Sequence, residues 1–311
     1  MIKKIAWLFV IAFMFINVIA FFHAYKFTHY NLEKDDKTHT PQQLSAIGKI
    51  KTLLLGVSNP KPENHSFPTQ EYEVVTLQTA YQIEGWHVKT EKAQGTVILF
   101  PGYSAEKSSM LNKADLFTEL GFNTLNMDFS GTGGSTGNQT TIGYREAEDV
   151  KAAFEYISGE GETNIYLMGS SMGAVAILKA ISDYDLKTSG IIIECPFGSM
   201  YQTVCARFEL MDIPSFPMAG LLVFWGGVQN GFWAFGHNPV EYAKQVTCPT
   251  LLLYGEQDEN VSRKEMDEIY SNLKGEKALI TYELAGHEDY LLKYREEWIG
   301  DIKAFLTPLP F

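Results

Sequence analysis

Residues 167–173 read Leu-Met-Gly-Ser-Ser-Met-Gly. An apolar run, NIYLMG at 164–169, ends on the first glycine, and the segment from Met172 to Asp183 carries helical periodicity. Gly169, Ser171 and Gly173 therefore stand in G-x-S-x-G spacing at a strand-to-helix turn. The reason for that spacing is steric. A serine on a sharp, strained turn projects its hydroxyl above the sheet. Glycines two before and two after let backbone approach without a Cβ clash. The helix that starts there aims its N–H groups and positive dipole end at the reacting oxygen. Ser171 is the candidate nucleophile. Ser170 is the alternative frame, but it lacks the flanking glycines. Small residues cluster in any tight turn, so the stretch needs support from the rest of the chain.

Outward from the turn, apolar β-rich runs recur at 71–77, 85–90, 96–100, 122–129, 164–169, 190–195, 249–255 and 278–284. Between and after them lie helix-patterned segments at 107–120, 144–157, 172–183, 263–273 and 290–306. The first two strands read as an antiparallel pair. The later alternation demands crossover connections, hence an α/β fold with a mostly parallel central sheet and helices on both faces. One interval is too long for a crossover. Between Cys195 and Pro249 the chain carries FPMAGLLVFWGGVQNGFWAFGHNP at 216–239, dense in aromatics and glycine. We expect an inserted lid at about 197–240, over the strand ends where open α/β sheets bind ligands. A packing helix with a long loop, or a membrane-touching patch, are the other readings.

Serine is a weak nucleophile without a base. In this architecture the order along the chain is Ser, Asp or Glu, then His. Asp258 lies three residues past Gly255 in LLLYGEQDENV, and His287 lies in ELAGHEDY, each just beyond a strand end. Alone, Asp258 reads as a turn residue and His287 as a loop histidine. Three roles in order at three successive strand ends make coincidence a poor account. Glu256 is the nearest alternative acid, with Glu259, Glu288 and Asp289 further off. Developing negative charge on a substrate oxygen needs N–H donors already in place. The candidates are the N–H of Met172 and that of Tyr103, which follows Pro101-Gly102 in LFPGYSAEKS, unless those two residues form only a turn. Tyr103, Phe197, Phe232 and Trp233 are the candidate substrate contacts.

The glycine-rich DFSGTGGSTG at 128–137 lacks the Lys-Ser/Thr of a phosphate loop and opens no helix at G-x-G-x-x-G spacing. It reads as a rim loop whose backbone Asp128 ties down. His65, His87 and His237 are scattered, so we expect no metal, and no cofactor motif is present. The formal charge is -12 with no basic run, which argues against a nucleic-acid partner. Cys195, Cys205 and Cys248 form no CxxC pair and read as small buried hydrophobes, or as one disulfide if the domain is secreted.

At the N-terminus, MIKK precedes IAWLFVIAFMFINVIAFF at 5–22, uncharged and with Asn17 its one polar residue. As a helix it extends about 27 Å, just enough for a hydrocarbon core. We expect a single-pass membrane anchor over 1–24, with a cleaved signal or a buried helix of a soluble protein as the alternatives. Lys3 and Lys4 favour a cytoplasmic N-terminus, and the acidic body suits an anionic membrane surface poorly. The catalytic domain is therefore expected outside the cytoplasm. A polar tether is expected over 25–70, with a short helix near 42–55, and the catalytic domain over 71–311.

With those residues in hand, the chain resembles the α/β-hydrolase superfamily, in particular its Bem46-like and serine aminopeptidase-like (S33-type) branch. The resemblance covers roughly 71–308. It rests on LFPGYSAEKS, DFSGTGGSTG, LMGSSMG, NPVEYAKQVTCPTLLLYGEQDENV and LAGHEDY. It implies a nucleophile at Ser171, an acid at Asp258 and a base at His287. Two positions depart from the family pattern: Pro101-Gly102 stands where His-Gly is usual, and Ser130 where an arginine is usual. The expected function is a membrane-anchored serine hydrolase of carboxylic esters, lipid or acyl-thio esters among them. The alternatives are a serine aminopeptidase or amidase, with Glu194 to hold the substrate amine although a structural role at the strand end suits that residue better, a non-catalytic binding protein, and a membrane scaffold that uses the lid as a partner surface.

Overall fold

The structure is a computed structural model. It describes residues 2–32, 38 and 43–306. Helices α1 (Ile2–Thr28) and α2 (Ala46–Leu55) come first. Strands β1 (Glu73–Gln78), β2 (Gln82–Val88) and β3 (Thr96–Phe100) lead to α3 (Leu111–Glu119) and β4 (Asn123–Met127). Then come α4 (Glu146–Gly159), β5 (Ile165–Ser170), α5 (Met172–Tyr184) and β6 (Gly190–Glu194). Helices α6 (Met200–Glu209), α7 (Met218–Asn230) and the short α8 (Pro239–Tyr242) fill the long interval before β7 (Thr250–Gly255). The chain closes with α9 (Arg263–Asn272), β8 (Lys277–Tyr282), α10 (Tyr290–Lys293) and α11 (Arg295–Leu306).

The chain divides into two compact units, Met1–Lys61 with Ser199–Asn238, and Pro62–Gly198 with Pro239–Phe311. The larger unit holds an eight-stranded sheet in the order β1-β2-β4-β3-β5-β6-β7-β8. β1 and β2 are a hairpin, β2 meets β4 antiparallel, and every pairing from β4 through β8 is parallel. Alternation along the strands builds two cores. Ile98, Phe100, Leu167, Ile191, Ile193 and Leu252 face α4, α5 and α9. Val97, Leu99, Met168, Ile192, Leu251 and Leu253 face α3 and α11. Strands buried on both faces explain the continuous apolar runs seen in the sequence. They also carry all their loops of consequence to one edge, the carboxyl ends of β3, β5, β6, β7 and β8.

The smaller unit is helical. Ala20 and Ala24 of α1 bury against Phe208, Ala219 and Leu222. Trp225 Nε1 donates to Asn17 Oδ1 (3.1 Å) and Gln229 Nε2 to the Phe21 carbonyl (2.8 Å). Lys26 Nζ donates to the Leu55 carbonyl (2.7 Å), and Lys49 pairs with Asp212 (3.0 Å). Lys3–Thr28 is long and apolar enough to cross a membrane, a property that signal sequences share.

The boundaries differ from those expected. The tether over 25–70 is not one segment. Helix α1 continues to Thr28, and the chain from Pro62 onward packs with the sheet. The cause is visible in two contacts: the Pro62 carbonyl accepts from Gly133 N (2.9 Å), and Asn64 Nδ2 donates to Asp128 Oδ2 (2.8 Å). The insertion expected at about 197–240 falls in the helical unit as Ser199–Asn238. Residues 33–37, 39–42 and 307–311, parts of the expected tether and catalytic domain, lie outside the described residues.

Candidate active site

β5 ends at Ser170, and Ser171 caps α5 with φ 51° and ψ -111°. A non-glycine residue there is strained, by about 1–3 kcal/mol. The flanking glycines explain how the turn closes. A Cβ on Gly169 would come within 2.5 Å of the Gly173 carbonyl carbon. One on Gly173 would meet the Phe100 carbonyl oxygen at 2.4 Å. Neither position admits a side chain. Ser171 N donates to the Glu194 carbonyl (2.8 Å), tying the turn to the end of β6. Helix α5 runs back beneath the sheet with Met172–Ile181 wholly buried, so the elbow rests on a rigid support.

β7 and β8 deliver the partners. His287 Nε2 lies 3.0 Å from Ser171 Oγ, and His287 Nδ1 lies 2.7 Å from Asp258 Oδ2. Asp258 Oδ1 accepts from Asn260 N (2.7 Å) and Val261 N (3.0 Å), which fixes the carboxylate. The Asp258 carboxylate has no exposed surface, while the His287 ring is 21% exposed. The nearest alternative acid, Glu256, instead faces Arg263 at 3.6 Å. Burial opposes a charge on His287, but the Cys195 side chain and Asp258 beside it outweigh burial and hold its pKa above the ordinary imidazole value.

The loop after β3 passes the elbow. A Cβ on Gly102 would lie 3.7 Å from Ser171 Cβ. The Tyr103 backbone follows directly, and its ring packs on the core that includes Met172 and Val175. The first N–H groups of α5, beginning with Met172, have no acceptor within the helix by construction. Phe197 is buried in that same core. Phe232 and Trp233 belong to the helical unit, where Trp233 is 66% exposed.

Ser170 does not face the histidine. Its hydroxyl donates to Glu194 Oε2 (2.6 Å), which also accepts from Lys113 Nζ (2.7 Å). Glu194 Oε1 accepts from Trp298 Nε1 (2.9 Å), and Lys113 pairs onward with Asp289 at 3.1 Å. Glu194 is thus 1% exposed with both oxygens occupied. Of the two roles weighed for it, this fits the structural one at the strand end: a carboxylate so enclosed does not hold a substrate amine. Sequence reasoning missed Lys113, Trp298 and Asp289 as members of this cluster. The one available signal was Glu194 itself, a charge closing the apolar run GIIIE. Cys195 was also missed. It follows β6 at φ 38°, and its sulfur lies within 4.8 Å of ligand atoms of both Asp258 and His287.

The rim loop is anchored without the usual arginine. Asp128 accepts from Gly134 N (2.8 Å) and Lys107 N (2.7 Å), and it pairs with the buried Lys107 ammonium. Ser130 donates from its N–H (2.8 Å) and its hydroxyl (3.0 Å) to Asp149. His87 and His237 are each buried, His65 is exposed, and none joins the Ser171 site.

A family profile described as serine aminopeptidase, S33, matches residues 91–221, which include Ser171 but neither Asp258 nor His287. The chain belongs to the α/β-hydrolase superfamily. Among curated relatives of this α/β-hydrolase is the uncharacterized protein YqkD of Bacillus subtilis. It is 26% identical over 249 residues, covering 78% of this chain and 81% of YqkD. The acylamino-acid-releasing enzyme of Sus scrofa is 24% identical across 69% of this chain, but only 30% of that enzyme is spanned. The lysophosphatidylserine lipase ABHD12 of Macaca fascicularis is 21% identical across 60% of this chain and 47% of its own length. Among solved structures, the Pyrococcus furiosus esterase Pf2001 superposes with a TM-score of 0.66 at 22% identity. That superposition covers 79% of this chain and 95% of the esterase, a likeness of fold.

Proposed function

We propose that this α/β-hydrolase is a serine hydrolase of carboxylic esters, with Ser171 as nucleophile, His287 as general base and Asp258 as its orienting acid. The observation that carries the reading is the unbroken Ser171 Oγ, His287 Nε2, Nδ1, Asp258 Oδ2 chain, with its serine on a strained elbow. His287 takes the hydroxyl proton as Ser171 Oγ attacks the ester carbonyl. The tetrahedral oxyanion is met by the N–H groups of Met172 and Tyr103. The Asp258 carboxylate stabilises the imidazolium, which then protonates the departing alkoxide. Water deprotonated by His287 releases the acid from Ser171.

The lipase among the relatives supports an ester with a lipid acyl group, while the aminopeptidase profile and the acylamino-acid-releasing relative favour a peptide bond as the second reading. The apolar helix α1 supports a membrane-anchored enzyme, and Lys3 and Lys4 ahead of it support a catalytic domain outside the cytoplasm. The Tyr103 ring and Phe197, both in the unit that holds Ser171, are the proposed acyl contacts. The test is labelling by a fluorophosphonate probe. Wild type labels, Ser171→Ala does not, and an ester chain-length series then ranks substrates. Absence of labelling in folded wild type overturns the reading and favours a binding protein on this fold. Equal rates on short and long acyl chains reject the lipid substrate alone.

A further inference from the structure

We infer that helix α7 is embedded in the membrane leaflet next to the carboxyl end of α1, with acyl chains as the occupant of its outward face. The inference rests on the reading of α1 as a membrane-spanning helix. Three observations carry it.

The first is depth. α7 is fastened to α1 at Asn17 and Phe21. Asn17 lies five residues inside the end of the apolar run at Phe22, hence about 8 Å along the helix axis. A hydrocarbon core is about 30 Å thick, so a spanning α1 holds these contacts within one leaflet. The segment of α7 that makes them is held at the same depth.

The second is polar satisfaction. Asn17 is the one polar side chain of the run at 5–22. Its Nδ2 donates to the Phe13 carbonyl (2.9 Å), and its Oδ1 accepts from Trp225 Nε1 (3.1 Å). In hydrocarbon an unpaired amide oxygen is costly, and in water it needs no protein partner. The indole of α7 supplies the partner that an apolar surrounding demands.

The third is composition. Residues 213–240 contain no Asp, Glu, Lys or Arg. Phe216, Phe224 and Val228 turn outward, 84%, 41% and 53% exposed. Trp233 follows them, the side chain favoured at a bilayer interface. The first charge beyond the fastened region of α1 is Lys26, which reaches the Leu55 carbonyl and fits the water side of the boundary.

The test places nitroxide labels one at a time on the full-length protein in phosphatidylcholine vesicles, in a Cys205→Ala, Cys248→Ala background that retains fluorophosphonate labelling. Val228→Cys and Phe224→Cys report on α7, Phe13→Cys on α1, and Lys264→Cys on a water-facing surface. Collision with oxygen is compared with collision with a water-soluble nickel chelate. We expect both α7 labels to favour oxygen, as Phe13→Cys does, with the ratio reversed at Lys264→Cys. An oxygen-rich Phe13→Cys beside nickel-rich α7 labels overturns the inference and leaves the anchor standing. A nickel-rich Phe13→Cys removes the anchor reading and this inference with it.

Discussion

Ser170 and Ser171 are neighbours at the end of one strand, and the structure commits them to opposite purposes. Ser171 faces a histidine, a group that changes charge near neutrality, backed by a carboxylate. Ser170 faces Glu194, which an ammonium and an indole already satisfy. The first chain is 21% exposed at its imidazole, open to the proton transfer proposed for it. The second is sealed and made to stay still. Its far end, Asp289, caps α10 two residues beyond His287, by accepting from Leu291 N at 3.1 Å. One buried cluster therefore holds both the strand end that presents the serine and the loop that presents the base.

The largest effects should fall on the first chain. Ser171→Ala is expected to cost about a million-fold in kcat, and Asp258→Asn about ten-thousand-fold. Neither should lower Tm appreciably, since neither serves the core. Ester hydrolysis under saturating substrate, alongside a thermal melt, checks both. A large loss of stability in Ser171→Ala would erase the distinction between the two chains.

The second chain should show the reverse pattern. Glu194→Gln or Lys113→Met strands a buried charge, and each is expected to destabilise by about 3–5 kcal/mol. The double variant should recover much of that, because no charge in the sealed part is then left alone. Ser170→Ala removes one hydrogen bond to a carboxylate and should cost about 1.5–3 kcal/mol. In all of these, kcat per folded molecule should fall far less than in Ser171→Ala. Urea unfolding with active-site titration separates the two quantities. A double variant no better than the singles would mean the pair does not act as a unit.

The contrast also marks what sequence can reveal. The proton-passing chain was legible because each member stands at a strand end in a local pattern: a glycine-flanked serine, an acid after β7, a histidine after β8. The eight strands were legible for a related reason, since burial on both faces leaves uninterrupted apolar runs. The sealed chain had no such pattern. Lys113 is one lysine on an amphipathic helix, 81 residues from the Glu194 it neutralises. Only the topology, with α3 packed on β3 and β4 and β6 two strands along the same sheet, brings them together. The unit boundaries failed to show for the same reason. Asn17 reads as a blemish in an apolar run until Trp225 arrives from more than 200 residues away.

A smaller effect tests the strain at the elbow. Ser171 at φ 51° carries a conformational cost that glycine does not, while Gly169 and Gly173 enforce the turn regardless. Ser171→Gly should therefore be inactive yet more stable than Ser171→Ala, by about 1–3 kcal/mol. Equal unfolding midpoints for the two variants would mean that the turn stores no strain.

The smallest expected effect concerns Cys195, which stands beside His287. Ester attack requires the neutral imidazole, so kcat/KM should be low at acid pH and rise as pH climbs through the pKa of His287. That pKa is raised, with Cys195 and Asp258 prevailing over burial, so the rise should be centred above the 6.5 of an ordinary histidine. Cys195→Ala removes one of the raising influences and leaves the Ser171, His287 and Asp258 contacts in place. Its profile should shift toward lower pH, with the plateau nearly unchanged. Asp258→Asn offers no such plateau, because the imidazolium loses its counter-charge. A Cys195→Ala profile superimposable on wild type would assign the whole upward shift to Asp258, and make the base of this site a two-residue device.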